Sequence, residues 1–282
     1  MQRRNFCKAI STLAVCTFPS IASAGQFTGK IRKSLKWGMV QKAASDLTLV
    51  EAFRRLRECG FDGLEPSLSQ VPVDSWEEWL LASQESGLII DGMVGGRPGN
   101  LVEGLEMTKR LGGDSLLVVV PYDHNASLQA QWADSRDRLR DDAAEAERFG
   151  VKLLVENVWA TFLISPFDMV KFIDEIDSPW VQVHFDVGNM MRWGVAEHWA
   201  EVLGSRSQKL DVKEYDLTKA MNEGMRRGFD TPLGEGSINW TAVREQLAKI
   251  DYRGWAAAEV KAGDWQYLAD VSRRMDQVLD LS

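Results

Sequence analysis

Short apolar runs alternate along the chain with longer segments of helical periodicity. Runs of four to eight apolar residues between polar loops are typical of strands buried on both faces of a parallel sheet. Eight such runs predict strands at residues 35–40, 63–66, 89–94, 115–121, 152–158, 181–187, 209–215 and 255–260. Eight strand and helix repeats in about 250 residues favour a single, closed (β/α)8 TIM barrel with eight parallel strands.

Helix boundaries lie between the predicted strands. Asp74 with Glu77, and Asn239, are candidate N-caps, and Ser165 precedes a proline suited to a first helical position. Helix-ending glycines are predicted at residues 60, 87, 112 and 150. An open, doubly wound sheet is the alternative fold, but its usual glycine-rich phosphate turn does not follow the first strand.

Four acidic residues stand at the carboxyl ends of the last four predicted strands. They are Glu156, Asp186, Asp211 and Glu259. Barrel enzymes build their sites at this end, and four buried carboxylates require compensating positive charge. Oxygen ligands suit Mg²⁺ or Mn²⁺, with Co²⁺ as a further candidate. For any one of the four, the alternative is a solvated acid or an ion pair with Lys213 or Lys261.

The first 24 residues have the pattern of a cleavable export signal. Arg3, Arg4 and Lys8 precede an apolar stretch at 9–21, and a small-x-small cleavage site follows at 22–24. RRNFCK at residues 3–8 is similar to the twin-arginine motif, which predicts export to the periplasm or another extracytoplasmic space. A lipoprotein anchor at Cys16 is a weaker alternative. Residues 25–282 are then the barrel domain, with no membrane segment after signal removal.

Charge and cysteine content narrow the class of protein further. Loss of the three basic residues in the signal changes the formal net charge from −8 to −11. This acidity argues against nucleic-acid binding, which requires clustered Lys and Arg. Of three cysteines, Cys59 alone remains after cleavage, so no intramolecular disulfide is expected. The sequence allows a homo-oligomer but does not predict the oligomeric state.

Several motifs resemble those of the xylose isomerase-like barrel superfamily. They are VEN at 155–157, FDVGN at 185–189, DVKE at 211–214, LGEGSINW at 233–240, YRGW at 252–255 and EV at 259–260. The resemblance covers nearly all of residues 34–280. It is strongest to the sugar phosphate isomerase and epimerase group, which includes hydroxypyruvate isomerases, ketose 3-epimerases and inosose dehydratases.

The resemblance implies a metal site and a proton-transfer reaction. The family ligands Glu, Asp, His and Glu transfer to Glu156, Asp186, the position of Asp211, and Glu259. Asp211 stands where the family usually has His. A further carboxylate in the ligand set favours Mg²⁺ or Mn²⁺ even more. Glu156 and Glu259 are the candidate proton carriers through an enediolate, with the metal stabilising its negative oxygens. Lys213, on the same strand face as Asp211, either neutralises oxyanion charge or pairs with Glu259 or Asp186.

Candidate substrate contacts lie around the same predicted mouth. They are Trp37, Glu65, His124, Trp159 and Asn189. The tryptophans could stack on sugar C–H groups. For Glu65, a solvated or Arg-paired acid is an equal alternative. Asn189 stands where many ketose epimerases carry a substrate-contacting His, which leaves their substrate range in doubt here. His184 shares a face with Asp186 and is expected inside the barrel, below the metal.

The predicted function is that of a divalent-metal-dependent isomerase or epimerase acting on a free sugar or sugar derivative. One alternative is a lyase of the inosose dehydratase type, in which the same enediolate expels a β-hydroxyl group. A second alternative is a non-enzymatic carbohydrate-binding barrel that has lost the metal. The departure at Asp211 keeps this second alternative open.

Overall fold

The computed structural model describes residues 24–159 and 162–282. The predicted export signal, Ala24 excepted, lies outside the described residues. Its cleavage and the export route therefore stay predictions.

The described strands form a curled, parallel sheet. Seven strands hydrogen-bond in the order β1-β9-β8-β7-β6-β5-β4, and β2 pairs with β3 separately. The strands are β1 Ile31–Leu35, β2 Gly63–Leu64, β3 Ile89–Ile90, β4 Met93–Gly96, β5 Ser115–Val118, β6 Lys152–Glu156, β7 Val181–Asp186, β8 Ser207–Val212 and β9 Gly254–Ala258.

Backbone hydrogen bonds around the short strand β2 connect the two sheets. The Glu65 amide donates to the Leu35 carbonyl at 2.9 Å, and the Val94 amide donates to the Pro66 carbonyl at 3.0 Å. The chain thus follows a TIM-barrel path in which β3 and β4 together occupy the place of the predicted third strand. The break between β3 and β4 falls where Lys209 Nζ donates to the Asp91 carbonyl at 3.2 Å. A Cβ on Gly92 would lie 2.7 Å from that nitrogen, so the close approach requires glycine.

The predicted first strand at residues 35–40 is wrong. Strand β1 is Ile31–Leu35, and Trp37–Met39 form a 3₁₀ turn. The Trp37 amide donates to the Glu65 carbonyl at 2.9 Å, and the chain then turns. Trp37 and Met39 are buried, so this apolar run fills the core from a turn. Apart from the predicted third strand, which ends before β4 does, the other predicted strands extend three residues or fewer beyond the observed carboxyl ends.

Nine α-helices occur in the described part of the chain. They are α1 Leu49–Glu58, α2 Trp76–Ser86, α3 Val102–Leu111, α4 Leu128–Phe149, α5 Pro166–Ile176, α6 Ala196–Leu203, α7 Leu217–Glu223, α8 Trp240–Lys249 and α9 Trp265–Leu279. None of these helices combines the length and hydrophobicity of a membrane span.

Side-chain caps define several helix starts. The predicted caps Ser165 and Asn239 accept hydrogen bonds from backbone amides of α5 and α8. The predicted capping by Asp74 and Glu77 is wrong, because α2 starts after Ser75 and its N-cap makes no side-chain bond. The glycines predicted near helix ends at 60, 87, 112 and 150 all have positive φ.

The helices cover the outer face of the sheet and leave the strands almost fully buried. Between β1, α1 and α2, the rings of Trp37, Phe53 and Trp79 meet edge to face, with centroids 5.2 to 5.8 Å apart. Such pairs contribute about 0.5–1.5 kcal/mol beyond area burial. This packing holds the barrel wall in place, so the strand ends can carry polar side chains.

Candidate functional site

Four carboxylates meet at the carboxyl ends of the last four strands. Glu156 ends β6 and Asp186 ends β7, while Asp211 lies opposite Asp186 in the register of β8. Glu259 follows the end of β9. One oxygen from each of the four residues lies within 4.8 Å of the others. The structure therefore brings together all four acids that the sequence singles out.

The FDVGN segment fixes the orientation of Asp186. Its Oδ1 accepts hydrogen bonds from the amides of Gly188 and Asn189 at 2.9 and 2.8 Å. Asn157 holds the Asp186 backbone from β6, donating to its carbonyl and accepting from its amide, both at 2.8 Å. A side chain on Gly188 would collide with Lys213, so this turn requires glycine. Because Oδ1 is held this way, Oδ2 remains for the acidic cluster.

Two lysines lie against the acids. Lys213 Nζ is 2.7 Å from Asp186 Oδ2 and 2.8 Å from Glu259 Oε2. Lys36 Nζ is 2.8 Å from Asp211 Oδ1. Of the two roles considered for Lys213, the structure shows the ion pair, made with both of the expected partners. An ammonium group in this position can also donate to a substrate oxygen.

Asn189 connects the opposite sides of the cluster. Its Nδ2 donates to Glu156 Oε1 at 3.1 Å, and its Oδ1 accepts from Lys213 Nζ at 3.2 Å. Polar contacts therefore run in sequence from Glu156 through Asn189 and Lys213 to Glu259. The two glutamates are held in fixed relation at one cavity.

The donor set fits a divalent cation. Both oxygens of Asp211, Oδ2 of Asp186 and Oε2 of Glu259 are buried without a hydrogen-bond partner. Lys213 lies within ion-pair distance of Asp186 Oδ2 and Glu259 Oε2, and Lys36 lies within ion-pair distance of Asp211 Oδ1. These contacts do not satisfy hydrogen-bond geometry. Buried carboxylate oxygens are normally bonded, and an all-oxygen donor set is the type that Mg²⁺ and Mn²⁺ prefer.

Burial and crowding change the pKa values of the acids in the cluster. Burial, with the neighbouring Glu259, Asp211 and Asp186, raises the pKa of Glu156 well above its usual range. Burial also raises the pKa of Asp186 to about 7, despite Lys213. Burial opposes ionisation of Asp211 as well, but His184 and Lys36 outweigh it and lower the pKa of Asp211 far below normal. Fully ionised, the four acids would carry more negative charge than the two lysines offset, and a bound cation would relieve this excess.

A deeper layer of charged residues lies inside the barrel. Lys209 Nζ is 2.8 Å from Glu65 Oε1 and 2.9 Å from Asp91 Oδ2. His184 Nε2 lies 2.9 Å from Asp211 Oδ1, which places the imidazole beneath the acidic cluster as expected. Glu65, His184 and Asp211 form a second group of possible cation ligands, and Lys36 contacts Glu65 and Asp211 in this group.

Two cavities flank the acids. The first, here called the catalytic cavity, has a volume of about 510 Å³, and the second, the inner cavity, about 340 Å³. Glu156 and Glu259 line both. The catalytic cavity is also lined by Val158, Trp159, Asn189, Lys213, Arg226, Phe229, Val260 and Lys261. The inner cavity reaches Lys36, Glu65, Ser67 and Gln70 on the side of the first strands.

The predicted substrate contacts divide into two groups. Glu65 lines the inner cavity, and Trp159 and Asn189 line the catalytic cavity. Glu65 is buried and paired with lysines, unlike the solvated or Arg-paired acid considered as its alternative. Trp37 is instead buried against Phe53 and Trp79, which is a packing role. His124 is exposed in the loop after β5 and lines neither cavity.

Sequence reasoning missed several polar residues of the site. Lys36 was missed because the first strand was predicted at residues 35–40 and not at its observed position. Asp91 was missed because most of the residues around it are apolar. Lys209 had a usable signal, because Lys209, Asp211 and Lys213 alternate and therefore share one strand face. Asn157 directly follows Glu156, but its bonds to Asp186 join different strands and leave no local pattern.

Comparison with known proteins identifies relatives with a similar barrel. SgbU of Escherichia coli (strain K12), whose name proposes an L-ribulose-5-phosphate 3-epimerase, is 26% identical over 249 residues, covering 77% of this chain and 85% of SgbU. The apo structure of E. coli YcjR, a 3-keto-D-glucoside 4-epimerase, has a TM-score of 0.69 at 20% identity, covering 88% of this chain and 99% of YcjR.

A further solved structure has the same fold. It is D-psicose 3-epimerase with D-tagatose from Clostridium cellulolyticum H10, with a TM-score of 0.68 at 17% identity, covering 89% of this chain and 98% of that one. Residues 53–275 also match the sequence profile described as the xylose isomerase-like TIM barrel. This match includes all four acids at the strand ends. The chain therefore belongs to the xylose isomerase-like TIM barrel family.

Proposed function

We propose that this protein is a sugar epimerase or isomerase that transfers a proton next to a carbonyl group, with epimerisation as the main reaction. The observation that carries the proposal is the meeting of Glu156 and Glu259 at one cavity, joined through Asn189 and Lys213. The relatives named as sugar epimerases support this reaction over a purely binding role.

The two glutamates are suited to exchange a proton with opposite faces of a substrate. Glu156 ends β6 and Glu259 follows β9, so the carboxylates approach the cavity from different strands. One accepts the proton from the carbon next to the carbonyl, which leaves an enediolate. Return of a proton to the same carbon from the other face gives epimerisation, and return to the neighbouring carbon gives isomerisation. The Lys213 ammonium group can donate a hydrogen bond to a substrate oxygen. Asn189 donates to Glu156 Oε1 and to the Asn157 carbonyl and thereby orients Glu156.

Glu156, Asp186, Asp211 and Glu259 would hold a divalent cation, with Mn²⁺ or Mg²⁺ preferred over Co²⁺ because every ligand is a hard oxygen. A bound cation supplies positive charge that offsets negative charge developing on the substrate oxygens. The substrate is a free sugar or a sugar derivative.

Proton exchange in D₂O tests the proposal without requiring the product to be known. Full-length protein purified with Mn²⁺ is incubated with a panel of ketoses and keto-sugars and monitored by NMR. Deuterium should enter the carbon next to the carbonyl. Loss of water with an unsaturated or diketo product would instead establish the dehydratase. Sugar binding by calorimetry with no exchange from any compound would establish a binding barrel.

We further propose that the mature protein is exported by the twin-arginine route, on the basis of the motif at residues 3–8. The Arg3→Lys, Arg4→Lys double variant should accumulate in the cytoplasmic fraction, whereas the parent protein should be found outside the cytoplasm. An equal distribution of the two proteins would contradict the route.

A further inference from the structure

A third cavity adjoins the catalytic cavity, and the proposed proton transfer does not use it. This outer pocket has a volume of about 510 Å³ and lies between residues 229–233 and helix α9. Phe229, Val260 and Lys261 line both the outer pocket and the catalytic cavity. The two spaces are therefore neighbouring compartments that share a wall.

The catalytic cavity shares lining residues with both of the other spaces. Glu156 and Glu259 line the catalytic and inner cavities, whereas Phe229, Val260 and Lys261 line the catalytic cavity and the outer pocket. Each compartment alone falls within about 300–1,000 Å³, the range of small-molecule sites. The catalytic cavity and the adjoining outer pocket together thus have room for a group attached to the reacting sugar as well as for the sugar itself.

The outer pocket offers the polar and aromatic groups that a sugar ring requires. Thr231 Oγ1 is buried without a hydrogen-bond partner, and Thr231 lines the pocket. Tyr267 from α9 lines it too and is 38% exposed, so its ring is available for stacking. A hydroxyl can donate or accept with a sugar hydroxyl, and an aromatic face packs against sugar C–H groups.

The charged groups of the pocket are already paired with one another. Arg274 contacts Asp270 at 2.6 Å and Glu235 at 2.7 Å. Asp230 is paired with Arg227 and Lys261. No unpaired cation remains among the pocket's described lining residues to attract a phosphate or carboxylate, so the chemistry favours a neutral ligand.

We propose that the outer pocket binds a second sugar ring and that the substrate is a glycoside; this inference rests on the proposed function. In the proposed substrate, the reacting ring is the one whose anomeric carbon forms the glycosidic bond. That carbon cannot supply the carbonyl group that proton abstraction needs, so the carbonyl of this ring is a ketone at another ring carbon. The reaction that supplies the substrate is therefore the oxidation of a ring hydroxyl by a separate oxidoreductase with its own electron acceptor.

Binding measurements test the second-ring site independently of catalysis. Calorimetry compares methyl β-D-glucoside with cellobiose, maltose and trehalose, using the full-length protein with Mn²⁺. At least one disaccharide should bind about tenfold more tightly, an effect within reach of one ring stack and one hydrogen bond. Tyr267→Ala and Thr231→Val should each remove much of the gain, whereas Thr231→Ser, which keeps the hydroxyl, should retain it. Equal affinities, or a gain that both variants leave unchanged, would overturn the assignment.

Exchange in D₂O then separates this inference from the proposed function. The substrates are D-fructose and the ring-oxidised ketones of methyl β-D-glucoside and of the disaccharide that binds best. The oxidised disaccharide should exchange with the highest kcat/KM, and Tyr267→Ala should lower that value without affecting D-fructose. Exchange that is fastest with D-fructose would refute the glycoside inference and keep the epimerase. Disaccharide binding without exchange from any ketone would refute the epimerase and keep the second-ring site.

Discussion

The two layers of charged residues inside the barrel differ in their charge balance. In the deep layer, Lys209 is enclosed by Glu65 and Asp91 and also donates to a backbone carbonyl. In the layer at the mouth, four acids share two lysines, and several of their buried oxygens have no hydrogen-bond partner. When all groups are ionised, acids outnumber lysines in both layers, by one in the deep layer and by two at the mouth.

One glutamate from each layer shows how neighbours set acidity. Burial raises the pKa of Glu65, but Lys209 and Lys36 outweigh it and lower that pKa to about 2. At the mouth, burial and neighbouring acids raise the pKa of Glu156 well above its usual range. Glu65 is therefore stabilised in its ionised form by lysines, whereas Glu156 is crowded by other acids. The same residue type forms an ion-paired cluster in one layer and a candidate cation site in the next.

The largest expected effect is on stability and concerns the deep layer. Lys209→Met leaves Asp91 buried without its cation and Glu65 with Lys36 as its remaining lysine partner, which should lower the free energy of unfolding by about 3–5 kcal/mol. Urea denaturation measures this loss. Lys261→Met, which removes an exposed lysine paired with Asp230, should change stability by less than about 1 kcal/mol. A loss at Lys209 no larger than that of the control would mean that the deep layer is not a structural unit.

The second prediction concerns chemistry at the mouth. Glu259→Gln keeps an oxygen at the cluster but removes the basicity of the carboxylate. General-base catalysis contributes about 10² to 10⁴ in rate, so proton exchange in D₂O should fall at least about a hundredfold at saturating metal. Glu245→Gln, an exposed acid on α8, is the control. Exchange at the parent rate in Glu259→Gln would transfer the base role to Glu156 or to another residue of the mouth.

The third prediction tests the crowding of the acids directly. Glu156→Gln preserves the acceptor for Asn189 and removes a carboxyl group whose ionisation burial and the neighbouring acids oppose, so the metal-free protein should melt at the same temperature or higher. Mn²⁺ at a hundred times its Kd stabilises a folded protein by about 2.7 kcal/mol, and EDTA reverses the gain. At that same Mn²⁺ concentration, most of the gain should be lost in Glu156→Gln. An unchanged metal response would exclude Glu156 as a ligand.

The mouth could be predicted from the sequence better than the deep layer. Glu156, Asp186, Asp211 and Glu259 each interrupt or end an apolar run, and parallel strands place their carboxyl ends at one edge of the barrel. Each acid can be recognised from a short stretch of sequence, and the parallel arrangement brings the four strand ends together. The cluster can therefore be predicted without a structure. The helical and strand periodicities likewise suffice for the barrel itself.

The contacts of the deep layer join residues that are far apart in the sequence, so no local sequence pattern predicts them. Lys209 and Asp91 are 118 positions apart, and their pairing follows from how the closed barrel brings β8 next to the break after β3. Lys36 was missed because an apolar run at 35–40 is compatible with either a strand or a buried turn. Long lysine side chains also reach several partners, so their final contacts depend on packing.

The fourth prediction concerns the pH dependence of the deep layer. Burial raises the pKa of Asp91 from 3.8 to about 7. A raised acid stabilises the fold below its unfolded pKa, and this contribution is lost as pH rises through its folded pKa. One pKa unit corresponds to about 1.4 kcal/mol, so between pH 4 and 7 the parent should lose about 3 kcal/mol more stability than Asp91→Asn in urea denaturation. An identical pH profile in both proteins would show that Asp91 is ionised throughout. Asp134→Asn, at an exposed position, is the control.

The smallest expected effect concerns metal preference at Asp211, the candidate ligand position for which the resemblance implies a His. Asp211 has Lys36 at 2.8 Å and His184 at 2.9 Å, so its negative charge is partly offset on the protein side. Asp211→His replaces a hard oxygen by an imidazole nitrogen and lowers the charge of the ligand set. Preference for Co²⁺ or Zn²⁺ over Mn²⁺, measured by competitive calorimetry, should increase about tenfold. Asp211→Asn, which loses the charge but keeps an oxygen, should weaken binding of all three ions without this shift. Identical preferences in the parent protein and Asp211→His would mean that Asp211 does not bind the metal and belongs, with Lys36 and His184, to the deep layer.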